Sequence, residues 1–303
     1  MKSGFIAILG KPNVGKSSLM NRLIGEKVSI VSPKAQTTRD KILGIVTTDE
    51  YQMIFVDTPG VHVPKTQIGE YMSRAVTVAA GDVDAIVIVL DASKRVSDSD
   101  VAFIEKYLRK KIPLFVAVNK TDLAGYEKVY PILSSLSHLM QAADGRAAIK
   151  EIVPLSCRSG ENVELLKKFL ASVLPEGECY FPPDDITDKS ERYLICEIVR
   201  EKALLYLQDE IPHGIGAYIQ SMEASGDVVN IEADIVCEKE SHKQIIIGKG
   251  GEMLKTIGEK ARIDIEKMLS QKVYLKLYVK VRENWRNKKS TLADMGYDNK
   301  NFK

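Results

Sequence analysis

Gly10, Gly15, Lys16 and Ser17 have the spacing of a phosphate-binding loop: a glycine, four residues, then Gly-Lys-Ser. The apolar run Phe5-Ile6-Ala7-Ile8-Leu9 before it reads as a buried strand, and Ser18 to Ile24 after it reads as an amphipathic helix. A loop in that context turns its backbone N–H groups toward phosphate oxygens, here those of Gly10, Asn13, Val14, Gly15, Lys16, Ser17 and Ser18. The Lys16 ammonium is placed to neutralise β- and γ-phosphate charge, and the Ser17 hydroxyl to hold Mg²⁺.

Three more clusters each follow an apolar run. Asp57-Thr58-Pro59-Gly60 follows Met53 to Val56: the carboxylate is suited to a Mg²⁺-bound water, and Gly60 to a γ-phosphate through its N–H. Asn119-Lys120-Thr121-Asp122 follows Pro113 to Val118. An ionised Asp122 accepts from the ring N–H and the amino group of guanine, whereas adenine would leave that carboxylate unpaired, so the site selects the base. Ser156 and Cys157 follow Ile152 to Leu155 and offer backbone donors to the guanine carbonyl. The polar stretch 29–40 reads as a loop, with Thr38 as the expected metal ligand and Thr37 as the alternative.

The elements that must position these clusters alternate. Strands are expected at 4–9, 39–49, 52–56, 84–90, 113–118 and 152–155, and helices at 16–25, 67–80, 98–110, 127–140 and 161–173. This pattern predicts an α/β fold with a doubly wound, mainly parallel sheet, in which ligands bind beyond the carboxyl ends of the strands. The nucleotide-binding domain is expected over 1–174, a Pro- and acid-rich linker over 175–186, and a second domain over 187–303.

The second domain predicts a helix over 189–207, a hairpin of strands 214–223 and 228–237, a long helix to about Leu269 and a strand from Lys272 to Arg282. Between two helical segments stands Gly248-Lys249-Gly250-Gly251. This GxxG form resembles the loop with which KH domains clamp a nucleic-acid backbone, and the element order resembles the type II, α+β arrangement. Lys249 within the clamp and Lys255 beyond it add positive charge, and Ile245, Ile246, Ile247, Leu254 and Ile257 are expected to line a groove for unstacked bases. From His242 to Lys303 there are 15 Lys+Arg against 7 Asp+Glu, a net of +8, while the rest of the chain carries −6, so a polyanionic partner is expected at this end. Trp285, beside Arg286, either stacks a base or anchors the last helix on the core.

The chain has 303 residues, 45% hydrophobic and 28% charged, which fits an ordinary globular protein with two cores. Its four cysteines, Cys157, Cys179, Cys196 and Cys237, have no metal-site spacing and read as reduced thiols in the cytoplasm. No secretory signal is expected at the start, and no apolar run is long enough to span a bilayer.

The ordered set GKPNVGKS, QTTRD at 36–40, DTPGVH at 57–62, GEYM at 69–72, NKTD at 119–122 and SCRSGENV at 156–163 resembles the translation-factor-related GTPases, and within them the Era family. The resemblance continues through VRENWRNK to Tyr297. It implies hydrolysis of GTP to GDP and phosphate with Mg²⁺. It also implies binding to the 3′ end of small-subunit ribosomal RNA during maturation of the small ribosomal subunit. In Ras-like enzymes a Gln after the DxxG glycine orients the attacking water; Val61 stands there and cannot. The resemblance implies instead a potassium ion held by Asn13. Lys16, Asn13, Thr38 and Gly60 are thus the expected catalytic set. DNA is not an expected partner; a peripheral contact with the inner membrane surface is. Two other classes stay open: an RNA-binding scaffold with a structural nucleotide, and a GTPase acting at membranes.

Overall fold

Apolar runs bounded by turn residues become the strands. The computed structural model describes residues 1–34, 37–59, 66–79, 81–140, 149–208, 211–295 and 297. Contacts group them into two compact units: 1–29, 41–62 and 74–188 in one, and 30–40, 63–73 and 189–303 in the other.

The first unit is built from β1 (Lys2–Leu9), α1 (Lys16–Ile24), β2 (Ile42–Thr47), β3 (Tyr51–Asp57), α2 (Gln67–Ala79, shared with the second unit), β4 (Ala85–Asp91), α3 (Asp98–Leu108), β5 (Leu114–Asn119), α4 (Thr121–Ala124), α5 (Tyr126–Leu136), β6 (Ile149–Pro154) and α6 (Val163–Val173). Its six strands run in the order β2-β3-β1-β4-β5-β6, all parallel except the antiparallel β2–β3 pair. The central strands are apolar throughout, as expected for a parallel sheet covered on both faces: every residue of β4 and β5 is buried. On one face, Ile86, Ile88, Leu114 and Val116 pack with Ile104 and Tyr107 of α3 and Ile132 of α5. This frame ends five parallel strands, β1, β3, β4, β5 and β6, at one edge, and the loops there carry the candidate residues.

The β2 strand is shorter than the expected 39–49. Its pairing with β3 runs only from Ile42↔Asp57 to Thr47↔Gln52, because β3 ends at Asp57 on one side and the chain turns at Thr48–Glu50 on the other. The last expected helix segment, 137–140, is a 3₁₀ turn over Ser137–Leu139.

The second unit contains α7 (Glu191–Tyr206), β7 (Gly216–Ser225), β8 (Val228–Cys237), α8 (Glu240–Ile247), α9 (Glu252–Leu269), β9 (Lys272–Val281) and α10 (Lys289–Asp294). The three strands run β7-β8-β9, the first pair antiparallel and the second parallel. Odd-numbered β9 residues, Val273 to Val281, pack with Ile195, Ile198 and Val199 of α7, Ile246 of α8 and Ile257, Ala261 and Ile265 of α9. A smaller cluster covers part of the opposite face: Val236, Trp285, Leu292, Met295 and Tyr297 with Ile68 and Tyr71.

Segment 30–40 is tied into this unit. Arg39 is buried, donates to the Ile215 carbonyl at 2.6 Å and lies 5.6 Å from the centre of the Trp285 ring. The Val31 N–H donates to Glu201 Oε1 at 2.9 Å, and Arg200 bridges the Thr37 carbonyl and Glu197. Asp40 accepts from Tyr71 Oη at 2.6 Å and Lys189 Nζ at 2.7 Å.

Candidate nucleotide site and nucleic-acid interface

The loop from Gly10 to Gly15 joins β1 to α1. Gly15 has φ 102, and a Cβ there would fall 2.1 Å from Asn119 Nδ2, so only glycine lets the loop close against β5. Asn13 has φ 63, a left-handed conformation that asparagine tolerates, and is exposed. Val14 is buried; Ser18 is half-buried in the first turn of α1.

The loop is held from behind by Asn119 and Lys120 at the end of β5. Asn119 Nδ2 donates to the Val14 carbonyl at 2.9 Å, and its Oδ1 accepts from the Cys157 N–H at 3.1 Å. Lys120 Nζ donates to the Asn13 carbonyl at 2.8 Å and to Asp91 Oδ2 at 2.7 Å. One lysine thus ties three strand ends together. Asp122 Oδ1 accepts from Ser156 Oγ at 2.7 Å, and Oδ2 lies 3.9 Å from Arg158 Nη1, with the side chain 23% exposed. The carboxylate is oriented by its neighbours while part of it still faces outward. Gly10, Asn13 to Ser18, Asp57, Asn119, Lys120, Asp122, Ser156 and Cys157 all belong to this unit.

Lys16 is buried and donates to the Lys11 carbonyl at 3.0 Å. Burial lowers its pKa, partly offset by Asp57. Asp57 is fully buried at the end of β3 and accepts at Oδ2 from Ser17 Oγ at 2.7 Å and Ser29 Oγ at 2.9 Å. Burial pushes its carboxyl up, opposed by Lys16 and by these hydroxyls. Hydroxyl and carboxylate together form an all-oxygen donor set, the kind a hard cation such as Mg²⁺ takes. Among the described residues no group of three or more His, Cys, Asp or Glu could hold a metal unaided. The donors present therefore fit Mg²⁺ that brings phosphate and water as its other ligands.

Thr37 and Thr38 are grouped with the second unit, where Thr38 is buried. Gly60 and Val61 lie outside the described residues.

Three contributors escaped the sequence reading. Asp91, the last residue of β4, orients Lys120; Ser29 holds Asp57; and Lys11 donates to Ser97 Oγ at 3.0 Å and Ser99 Oγ at 2.7 Å while pairing with Asp100 at 2.7 Å. Asp91 alone carried a signal, a carboxylate at a strand end beside the others.

In the second unit α8 ends at Ile247, and Gly248 to Gly251 turn the chain into α9. Lys249 and Gly250 are exposed. Gly250 has φ 62, and a Cβ added there would meet nothing within 4 Å, so its backbone is open to an incoming chain. Lys255 is 78% exposed one turn into α9. The expected groove needs correction: Ile246 and Ile257 are wholly buried in the core, since helix periodicity turns them inward. Ile245 is 51% exposed, and Ile247 and Leu254 are half-buried. Trp285 does not present a face for stacking. It is fully buried, and its Nε1 donates to the Gly214 carbonyl at 2.9 Å, so it anchors the C-terminal segment. Arg286 is paired internally with Glu238 at 2.5 Å.

Residues 5–120 match the family described as 50S ribosome-binding GTPase, and residues 210–286 match the KH domain family. The chain is 46% identical to GTPase Era of Clostridium botulinum (strain Hall) over 98% of its length and 99% of that protein's. It is also 46% identical to GTPase Era of Alkaliphilus metalliredigens, with the same coverage. Two solved structures superpose with a TM-score of 0.91 at 38% identity over 98% of the chain. One is Era in complex with MgGDPNP and nucleotides 1506–1542 of 16S ribosomal RNA; the other is a substituted Aquifex aeolicus Era bound to GDP·AlF4⁻. With a P-loop braced by Asn119 and Lys120 in one unit and a GxxG turn between two helices in the other, this chain belongs to the Era family of GTPases.

Proposed function

We propose that this protein hydrolyses GTP with Mg²⁺ at the first unit and binds the 3′ region of small-subunit ribosomal RNA through the GxxG turn of the second, in assembly of the small ribosomal subunit. The observation that carries the nucleotide reading is the brace of Asn119 and Lys120 on the carbonyls of Val14 and Asn13, with Asp122 held by Ser156. Base recognition and phosphate binding are thereby one rigid piece. Asp122 accepts from guanine, and the amides of the loop around Gly10 and Asn13 to Ser18 meet the phosphates. Lys16 leaves the Lys11 carbonyl for phosphate oxygens and stabilises charge developing on the transferred group. Ser17 holds Mg²⁺ directly and Asp57 through water; the metal, when bound, neutralises phosphate charge. Thr38 is proposed as a further ligand in the nucleotide-loaded state, and Gly60 as the γ-phosphate contact. Asn13 is proposed to hold a potassium ion in place of an arginine finger, a role supported by its exposed, left-handed position within the phosphate loop.

The RNA reading is supported by the open Gly250 backbone, the exposed Lys249 and Lys255, and the rRNA-bound relative. A cytoplasmic location is supported by four free cysteines. Among the described residues no helix is long and apolar enough to cross a membrane; a peripheral membrane contact would rest on the basic C-terminal segment alone.

Single-turnover phosphate release tests the assignment. Lys16→Ala should slow hydrolysis by about 10²–10³-fold, the cost of deleting one preorganised charge-stabilising group. Hydrolysis at the unaltered rate would overturn it.

A further inference from the structure

The GxxG turn lies on the helical side of the second unit, but the opposite face of its sheet is not bare of chemistry. Even-numbered β9 residues point away from the three helices, since the odd-numbered ones fill the core. They alternate basic and aromatic: Lys272, Tyr274, Lys276, Tyr278, Lys280. The end of this face near Val236 is covered by the Trp285 cluster. The remainder is open, with Tyr274 61% exposed and the Lys276 and Lys280 side chains each 48% exposed.

We propose that Tyr274, Lys276 and Tyr278 form a second RNA contact, a stacking platform for single-stranded nucleotides beyond those held by the GxxG turn. This rests on the reading of the second unit as RNA-binding. Three observations point to RNA as the occupant. First, the exposed Tyr274 ring offers a π-face to a base, which has one whatever its identity. Second, Lys272 and Lys276 flank Tyr274 at two residues on either side, about 6.6 Å along the strand, so a base on the ring has a cation beside each adjoining phosphate. Third, the two acids on this face next to β9, Asp234 and Glu232 of β8, are already engaged, while Glu223 stands exposed opposite Asn230 on the far strand β7. Asp234 is wholly buried and pairs with Lys280 at 2.8 Å, and Glu232 pairs with Lys276 at 3.5 Å and accepts from Tyr278 Oη at 3.5 Å. They hold the lysines and the Tyr278 ring in place, with Lys276 Nζ 5.1 Å from that ring's centre, and Tyr274 is left as the open stacking surface. An acidic protein partner would use the cations but has no need of the ring.

The test uses the full chain and two fluorescein-labelled single-stranded RNAs of mixed sequence, one of 6 and one of 30 nucleotides. A KH loop clamps about four nucleotides, so the 6-mer reports on the GxxG turn and the 30-mer on both surfaces. Tyr274→Ala should weaken the 30-mer about tenfold and leave the 6-mer unchanged. Lys276→Ala should lower the log–log salt slope for the 30-mer by about 0.7. Gly250→Asp should weaken both RNAs. Both substituted β9 side chains are solvent-facing, and an unaltered melting temperature verifies the fold. If Tyr274→Ala leaves the 30-mer unchanged while Gly250→Asp abolishes binding, the platform is wrong and the GxxG reading stands. If Tyr274→Ala weakens both RNAs equally, there is no separate surface. If neither variant changes either affinity, the RNA reading itself fails and the platform with it.

Discussion

Asp122→Asn tests the proposal that base selection resides at this carboxylate. The carboxylate keeps one oxygen on Ser156 and 23% of its surface outside. Guanine offers it two N–H donors, and a hydrogen bond to a charged group contributes about 1.5–3 kcal/mol. In the asparagine variant the amide oxygen still accepts from Ser156, so the local frame survives. Its NH₂ now faces the guanine amino group, donor against donor. Partial exposure argues for the lower end of the range for each of the two bonds, about 3 kcal/mol in total. At 1.4 kcal/mol per decade this weakens GTP binding about 10²-fold. Xanthine carries a carbonyl where guanine has its amino group, so xanthosine triphosphate should gain what GTP loses. Titration calorimetry with both nucleotides, at equal Mg²⁺, reads the exchange directly. A GTP affinity within threefold of the parent, with no gain for xanthosine triphosphate, would refute the role of Asp122. So would equal losses for both nucleotides, which would indicate a collapsed site.

The Asn13 proposal predicts faster hydrolysis in potassium than in sodium at equal ionic strength, a difference that Asn13→Ala abolishes; equal parental rates in both salts would remove the ion. Burial works against the Asp91 carboxylate, but hydrogen bonds from Lys120 and Ser93 prevail and hold its pKa below the ordinary value. Between that lowered pKa and the unfolded value of about 3.9, the unfolded chain binds more protons, so stability rises with pH there and is fully present above it. Asp91→Asn should therefore cost about 1–2 kcal/mol at neutral pH and flatten the acid limb in urea titrations from pH 6 to 3; an acid limb as steep as the parent's would contradict this. Trp285 is the chain's one tryptophan, so its emission reports the anchor. Saturating RNA should leave it unquenched, while Trp285→Ala should destabilise the protein by about 3–5 kcal/mol.

Local patterns carried much of this protein. A P-loop is contiguous, and strand-end carboxylates and amides sit next to the apolar runs that place them. Gly10 to Ser17, Asp57, Asn119 and Asp122 could therefore be named as candidates from the sequence, and alternation was enough to expect a mainly parallel sheet. The GxxG turn was legible for the same reason, since Gly248 to Gly251 are consecutive and flanked by helical periodicity.

What only the tertiary structure decided depends on partners far apart in the chain. Lys120 reads as one more residue of a motif until Asp91 and the Asn13 carbonyl are seen to converge on its ammonium. Trp285 among basic residues suits stacking or anchoring equally, and the choice belongs to the Gly214 carbonyl and to Leu292, Met295 and Tyr297, which bury it. Ile246 and Ile257 look like groove residues by position, yet the helix phase set by packing on β9 turns them inward. Arg39 stands in a polar loop, where a solvated charge is the ordinary expectation. It is buried instead, because the Ile215 carbonyl satisfies a guanidinium N–H and the Trp285 ring covers its plane. Sequence sets which groups a residue can offer; burial and hydrogen bonding are fixed by neighbours that only the folded chain brings within about 3 Å.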